Sequence, residues 1–144
     1  MKKHLIEAAE RGDAEAQFNL AVMYQNGLED SRYVAEGNRP EAVRWLLAAA
    51  EQGLPRAQVK LAKMYADEPA TGDGSVKACE WYLLATRSLR GVHLQQAQSA
   101  YQRTAAQLTP AQTTEVMRFV QGWKVKALSG AAMLSRGKVR GRSR

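Results

Sequence analysis

The sequence predicts an all-α fold, built as a stacked array of helix pairs, and three observations support it. A segment of 17 residues at positions 8–24 recurs 41 residues later, at 49–65, with ten identical positions. A second segment, at 39–45, recurs 36 residues later, at 75–81. Apolar residues within these segments keep a helical spacing. A period in this range is typical of arrays in which each repeat packs against its neighbours.

The repeated positions carry the landmarks of a known pattern. In both copies a glycine is followed by alanine, a Leu-Ala pair and a tyrosine, and after a loop by tryptophan and further alanines. This order resembles the Sel1-like repeat, a relative of the tetratricopeptide repeat, over roughly residues 4–90. The resemblance implies a short right-handed α-solenoid of antiparallel helix pairs. The landmarks are Gly12, Ala16, Leu20, Ala21, Tyr24, Ala42, Trp45, Ala49 and Ala50, and then Gly53, Ala57, Leu61, Ala62, Tyr65, Lys77, Ala78, Trp81, Tyr82 and Ala85.

Seven helices are expected along the chain, counting the caps. Residues 2–11 align with the back half of a repeat's second helix, and we interpret them as an N-terminal cap. The first repeat, about 12–52, should contain one helix over 13–26 and another over 39–52. Their apolar stripes predict that the two helices pack together, with the tryptophan between them. The second repeat, about 53–90, repeats this plan.

Two further helices, within 93–123, are expected to cap the open end of the array. The last of them has a clear start signal, because Thr109 precedes Pro110 and is followed three residues later by Gln112. The expected apolar faces of the two helices are Leu94, Ala97, Tyr101, Ala105 and Leu108, and then Val116, Phe119, Val120 and Trp123.

The charge distribution separates a repeat domain, 1–123, from a basic tail, 124–144. The chain has 21 basic and 14 acidic residues, and the whole excess of seven lies after Trp123. The tail is rich in glycine and serine and is expected to be flexible. It could associate with nucleic acid or an anionic surface, or be a soluble end without a partner. Its basic residues are Lys124, Lys126, Arg136, Lys138, Arg140, Arg142 and Arg144.

Composition and motifs favour a non-catalytic protein of the cytoplasm. The sequence has no signal-peptide apolar region, no stretch long enough to span a membrane, and one cysteine, which cannot form an internal disulfide. His4 and His93 have no nucleophile beside them, and Cys79 aligns with an apolar position. No metal-ligand spacing is present, so neither a metal nor a cofactor is expected.

The positions at which the two copies differ suggest a binding surface. On the first helix of each repeat, the identical positions lie on one face and the individual ones on another. In the arrangement that the resemblance implies, the individual face lines the concave side of the solenoid. We therefore expect it to bind a peptide or a partner protein, as an adaptor or scaffold would. The candidate residues are Glu15, Phe18, Asn19, Val22, Gln25, Arg56, Val59, Lys60 and Lys63.

A structural interpretation of the same residues stays open. The individual face could be ordinary solvated helix surface, with Phe18 and Val22 placed against the N-terminal cap. The first interhelical loop, 28–38, is longer than its counterpart, and Tyr33 and Val34 within it are a secondary candidate contact.

Overall fold

The computed structural model of the chain describes residues 2–26, 39–67 and 73–125. These residues form seven α-helices and contain no β-strand, which confirms the predicted all-α class. The helices are α1 (Lys2–Glu10), α2 (Ala14–Asn26), α3 (Arg39–Glu51), α4 (Pro55–Ala66), α5 (Gly74–Ala85), α6 (Gly91–Ala105) and α7 (Pro110–Gly122).

The described residues form two compact units, the first of which comprises residues 2–26, 39–54 and Val125. Within it, α2 packs against both α1 and α3. The predicted core residues are buried, since Leu20 is 1% exposed and Trp45 is 4% exposed. The turn between α1 and α2 contains Gly12 with φ of 102°, a left-handed conformation that favours glycine after a helix.

Two glutamine side chains stabilise the first unit by bonding to backbone carbonyls. The Gln17 Nε2 donates to the Ala9 carbonyl at 3.0 Å. The Gln52 Nε2 donates to the Gly12 carbonyl at 2.9 Å and to the Gln17 Oε1 at 3.0 Å. Gln17 is completely buried, so these bonds offset the cost of removing its amide from water.

The second unit, Pro55–Lys124, is organised around α5. Helices α4, α6 and α7 all pack against α5. The two residues predicted to form the centre of this repeat are buried, with Leu61 at 0% and Trp81 at 5% exposure. Gly53, which follows α3 and lies just before this unit, has φ of 95°, a left-handed conformation that favours glycine after a helix.

The capping signal predicted at Thr109 is present. The Gln112 backbone amide donates to the Thr109 Oγ1 at 3.1 Å, and the Thr109 amide donates to the Gln112 Oε1 at 2.9 Å. Pro110 lies in the first turn, where its missing N–H is not needed. The start of α7 is therefore determined locally.

The predicted packing of α6 is wrong in detail. Residues Ala97, Ala100 and Thr104 form its buried face, whereas Leu94 and Tyr101 are only half-buried. Small side chains let α6 approach α5 closely, and the Thr104 hydroxyl donates to the Ala100 carbonyl at 2.9 Å. Both α6 and α7 pack mainly against α5 rather than against each other.

Candidate interaction surface

The individual face of α2 is partly accessible to solvent. Glu15 and Asn19 are exposed, while Phe18, Val22 and Gln25 are half-buried. The first turn of this helix is fixed by Asp13, whose Oδ1 accepts a hydrogen bond from the Ala16 amide at 3.2 Å. The face combines one carboxylate, amide groups and two apolar side chains.

The individual face of α4 has a different character. Arg56 and Lys63 are exposed, and Val59 and Lys60 are half-buried. The helix contains no acidic residue. Its accessible face therefore presents cationic groups around one apolar side chain, and a bound group would meet positive charge there.

Most of the residues that the two copies share are buried, whereas Met23, Tyr24 and Tyr65 are half-buried. This agrees with the interpretation that the shared face serves packing and leaves the individual face available. Binding at that face stays a prediction, and α2 and α4 belong to separate units. The buried shared residues are Ala16, Gln17, Leu20 and Ala21 on α2 and Ala57, Gln58, Leu61, Ala62 and Met64 on α4.

The remaining candidate contacts lie largely outside the described residues. Tyr33 and Val34, in the first interhelical loop, are among those not described. Of the basic residues of the tail, Lys124 is described and is exposed. The role of the tail in binding nucleic acid or an anionic surface also stays a prediction. The tail residues outside the described part are Lys126, Arg136, Lys138, Arg140, Arg142 and Arg144.

The reactive side chains do not assemble into a catalytic group. His4 and His93 are exposed, and the His4 Nδ1 lies 3.9 Å from the Glu7 Oε1. Cys79 is completely buried, as its apolar alignment predicted. Burial, followed by the charge of Glu80, raises the pKa of the Cys79 thiol to about 11, so the nucleophilic thiolate is disfavoured. Residues 2–26, 39–67 and 73–125 contain no cluster of three potential metal ligands.

Glu80 is a buried acid that the sequence analysis did not single out. It lies on α5 beside Trp81 and is 9% exposed. Burial is the main cause that raises its pKa to about 7, the charge of Glu115 on α7 adds to it, and Lys77 partly opposes it. The Lys77 Nζ lies 3.9 Å from an Asp73 carboxylate oxygen. The available signal was the alignment, which places Glu80 opposite Arg44 of the first copy.

Helix α7 covers this part of α5 through aromatic contacts. The Trp81 ring meets the rings of Phe119 and Trp123 edge to face, with centroid distances of 5.8 and 6.3 Å. The Arg87 Nη2 donates to the Val120 carbonyl at 2.8 Å. These contacts hold α7 against α5 next to Glu80, and the predicted α7 face includes both aromatic residues.

Comparison with known families agrees with this architecture. The model of the Sel1 repeat matches residues 14–54 and 55–88, which together exceed half of the chain. The chain belongs to the Sel1 repeat family. The matched segments follow the two predicted repeats closely, and the resemblance stated from the landmarks is confirmed. No curated protein and no solved structure matches the chain.

Family membership indicates the general role of the domain. Sel1 repeats are generally protein-interaction modules and are typically non-catalytic scaffolds. No helix in the part of the chain that the structure describes is long and apolar enough to cross a membrane.

Proposed function

We propose that this Sel1 repeat protein is a non-catalytic adaptor that binds a peptide or a partner protein on the individual faces of α2 and α4. The observation that carries the proposal is the division of both helices into two faces. Most residues common to the copies are buried, with Met23, Tyr24 and Tyr65 half-buried, and the residues that differ all remain partly or fully accessible. Because the accessible positions differ in sequence, each repeat can make different contacts with a bound partner.

The chemistry of the two faces is suited to recognition rather than to reaction. Phe18 and Val22 on α2 and Val59 on α4 offer apolar surface, and polar groups around them can determine which partner fits. We place this activity in the cytoplasm, where a free cysteine such as Cys79 remains reduced.

Capture of partners from the native cell tests the proposal. One variant reverses two charges of α4, Lys60→Glu with Lys63→Glu, and another changes α2 by Asn19→Arg. Arg56 is kept because it also interacts with other groups of the chain. Each variant should lose at least part of the partner set captured by the wild type, while the melting temperature stays within about 2 °C, because surface changes have small effects on stability.

Matched controls change exposed residues elsewhere. Gln96→Arg on α6 resembles the α2 variant, and Arg90→Glu with Arg118→Glu gives the same net charge change as the α4 variant. Both controls should keep the partners. If all four proteins capture the wild-type set, the individual faces are not the binding surface.

A further inference from the structure

The charges of the repeat domain are segregated along the chain. Residues 1–54 contain six basic and nine acidic residues, whereas residues 55–123 contain eight basic and five acidic residues. The first segment has a net charge of −3 and the second a net charge of +3. The balance of charge before the tail therefore hides two oppositely charged segments.

The cations of α4 form one row on its surface. Arg56, Lys60 and Lys63 follow the spacing i, i+4 and i+7, which places successive side chains on the same face of a helix over about 10 Å. Within the part of the chain that the structure describes, neither Lys60 nor Lys63 forms an ion pair. We call these three residues the basic row.

The repeat framework does not require this row. At the equivalent positions, α2 has Glu15, Asn19 and Val22, and it still forms a helix that packs against its neighbours. The row therefore adds charge to a helix that can be built without it.

The row also gives little benefit to α4 itself. Arg56 lies in the first turn, where the positive end of the helix dipole disfavours a cation. Cations four residues apart, such as Arg56 and Lys60, repel each other. Only Lys63, in the last turn, is placed favourably with respect to the dipole.

We infer that the basic row binds an acidic polypeptide segment of a partner protein, whose carboxylates pair with Lys60 and Lys63 while an apolar side chain contacts Val59. This inference rests on the proposed function and names the class of partner. Carboxylates one helical turn apart match the spacing of the two ammonium groups, and complementary charge accelerates association and rejects cationic partners.

A synthetic helical peptide provides the probe. It is a fluorescein-labelled peptide with glutamates at positions i, i+4 and i+7 and one leucine among them, and its binding to the full chain is followed by fluorescence anisotropy. Lys60→Glu with Lys63→Glu should weaken binding by about tenfold or more, since close charge pairs contribute at that level. The control Arg90→Glu with Arg118→Glu has the same net charge and should change the dissociation constant by less than about twofold, because distant exposed charges are screened.

Other outcomes would overturn the inference. Equal weakening by the two double variants would show that net charge, including that of the tail, attracts the peptide. Tighter binding of a single-stranded oligonucleotide, competing for Lys60 and Lys63, would identify a phosphate partner instead. A dimer that forms in the wild type and is lost in the α4 variant would identify a second copy as the occupant.

Folding and the proposed function are tested separately. If the Glu variants are destabilised, Lys60→Gln with Lys63→Gln removes the same charges with less perturbation and should still weaken peptide binding. If the α2 and α4 variants lose cellular partners but the peptide binds the wild type and the α4 variant equally well, only the inference of an acidic partner is wrong. If peptide binding is unchanged and the variants keep their cellular partners as well, both the inference of an acidic partner and the proposed function are wrong.

Discussion

The tryptophan helices of the two repeats, α3 and α5, have matching buried tryptophans but opposite charge signs at two aligned positions. Trp45 and Trp81 are both nearly inaccessible to solvent, at 4% and 5% exposure. On α3, the Arg44 guanidinium contacts a Glu41 carboxylate oxygen at 3.0 Å at the surface. On α5, Lys77 stands at the position of Glu41 and Glu80 at the position of Arg44, and Glu80 is buried.

Helix α7 packs against α5 and places a further acid near Glu80. In the second unit, Phe119 and Trp123 contact Trp81, and Glu115 is close enough to raise the pKa of Glu80. Position 80 therefore lies in a covered site where a charge is costly. The comparison shows that the repeated sequence determines which residues pack in the core. The neighbouring helix influences the electrostatic environment of the positions that are not repeated.

The largest effect should come from removing the shared packing. Trp45→Ala and Trp81→Ala should each lower the free energy of unfolding by about 3 to 5 kcal/mol, because each leaves a large cavity. Urea denaturation followed by circular dichroism measures both. Phe119→Ala, at a half-buried position, serves as a control and should lower the free energy of unfolding by less than either tryptophan variant. A loss below 1 kcal/mol for either tryptophan would contradict their equivalence in the two cores.

A somewhat smaller effect should come from Glu80. Its pKa is raised from 4.5 to about 7 in the folded protein, so the contribution of Glu80 to the free energy of unfolding should be most favourable below about pH 4.5 and should fall as the pH rises through 7. Glu80→Gln should remove this contribution. At pH 8 it should stabilise the protein by about 3 kcal/mol, since each pKa unit corresponds to about 1.4 kcal/mol.

Denaturation curves of wild type and Glu80→Gln between pH 4.5 and 8 provide the measurement. The matched control is Glu41→Gln on α3, which removes only an accessible ion pair and should change stability by less than about 1 kcal/mol. Parallel pH profiles for the wild type and Glu80→Gln would show that Glu80 is not responsible.

The smallest effect concerns the cap of α7. Thr109→Ala removes the hydroxyl that accepts the Gln112 amide and should cost about 1 kcal/mol. Thr114→Ala is a suitable control, since its exposed hydroxyl donates only to the Pro110 carbonyl within the same helix. If the loss at Thr109 reflects weaker docking of α7, the apparent pKa of Glu80 should also move towards 4.5. If the Thr109→Ala and Thr114→Ala variants are equally stable, the cap at Thr109 does not contribute to stability.

Much of the fold could be predicted because its signals are local or repeated. The cap at Thr109 depends on residues within one turn, and the buried positions of the repeats could be found by comparing the copies. The face of α6 could not, because Leu94 and Tyr101 are the more apolar residues but Ala100 and Thr104 are buried. Close approach to α5 favours small side chains there, and this requirement is not visible in the sequence of α6.

The candidate site was predictable only in part, for a related reason. The alignment separates shared from individual positions on α2 and α4, and most of the shared positions are buried whereas none of the individual ones is. The alignment marks position 80 only as a charge opposite in sign to Arg44, whereas the raised pKa of Glu80 depends in part on Glu115, 35 residues further along the chain. Long-range packing changes electrostatics without leaving a mark in the local pattern.

The burial of Cys79 makes the second repeat convenient to observe. It is the one cysteine of the chain, and its thiol is shielded within α5. An alkylating reagent can therefore react only when that helix transiently separates from its neighbours. The modification rate, measured by mass spectrometry under native conditions, would report how often the packing around α5 opens transiently, without any engineered label.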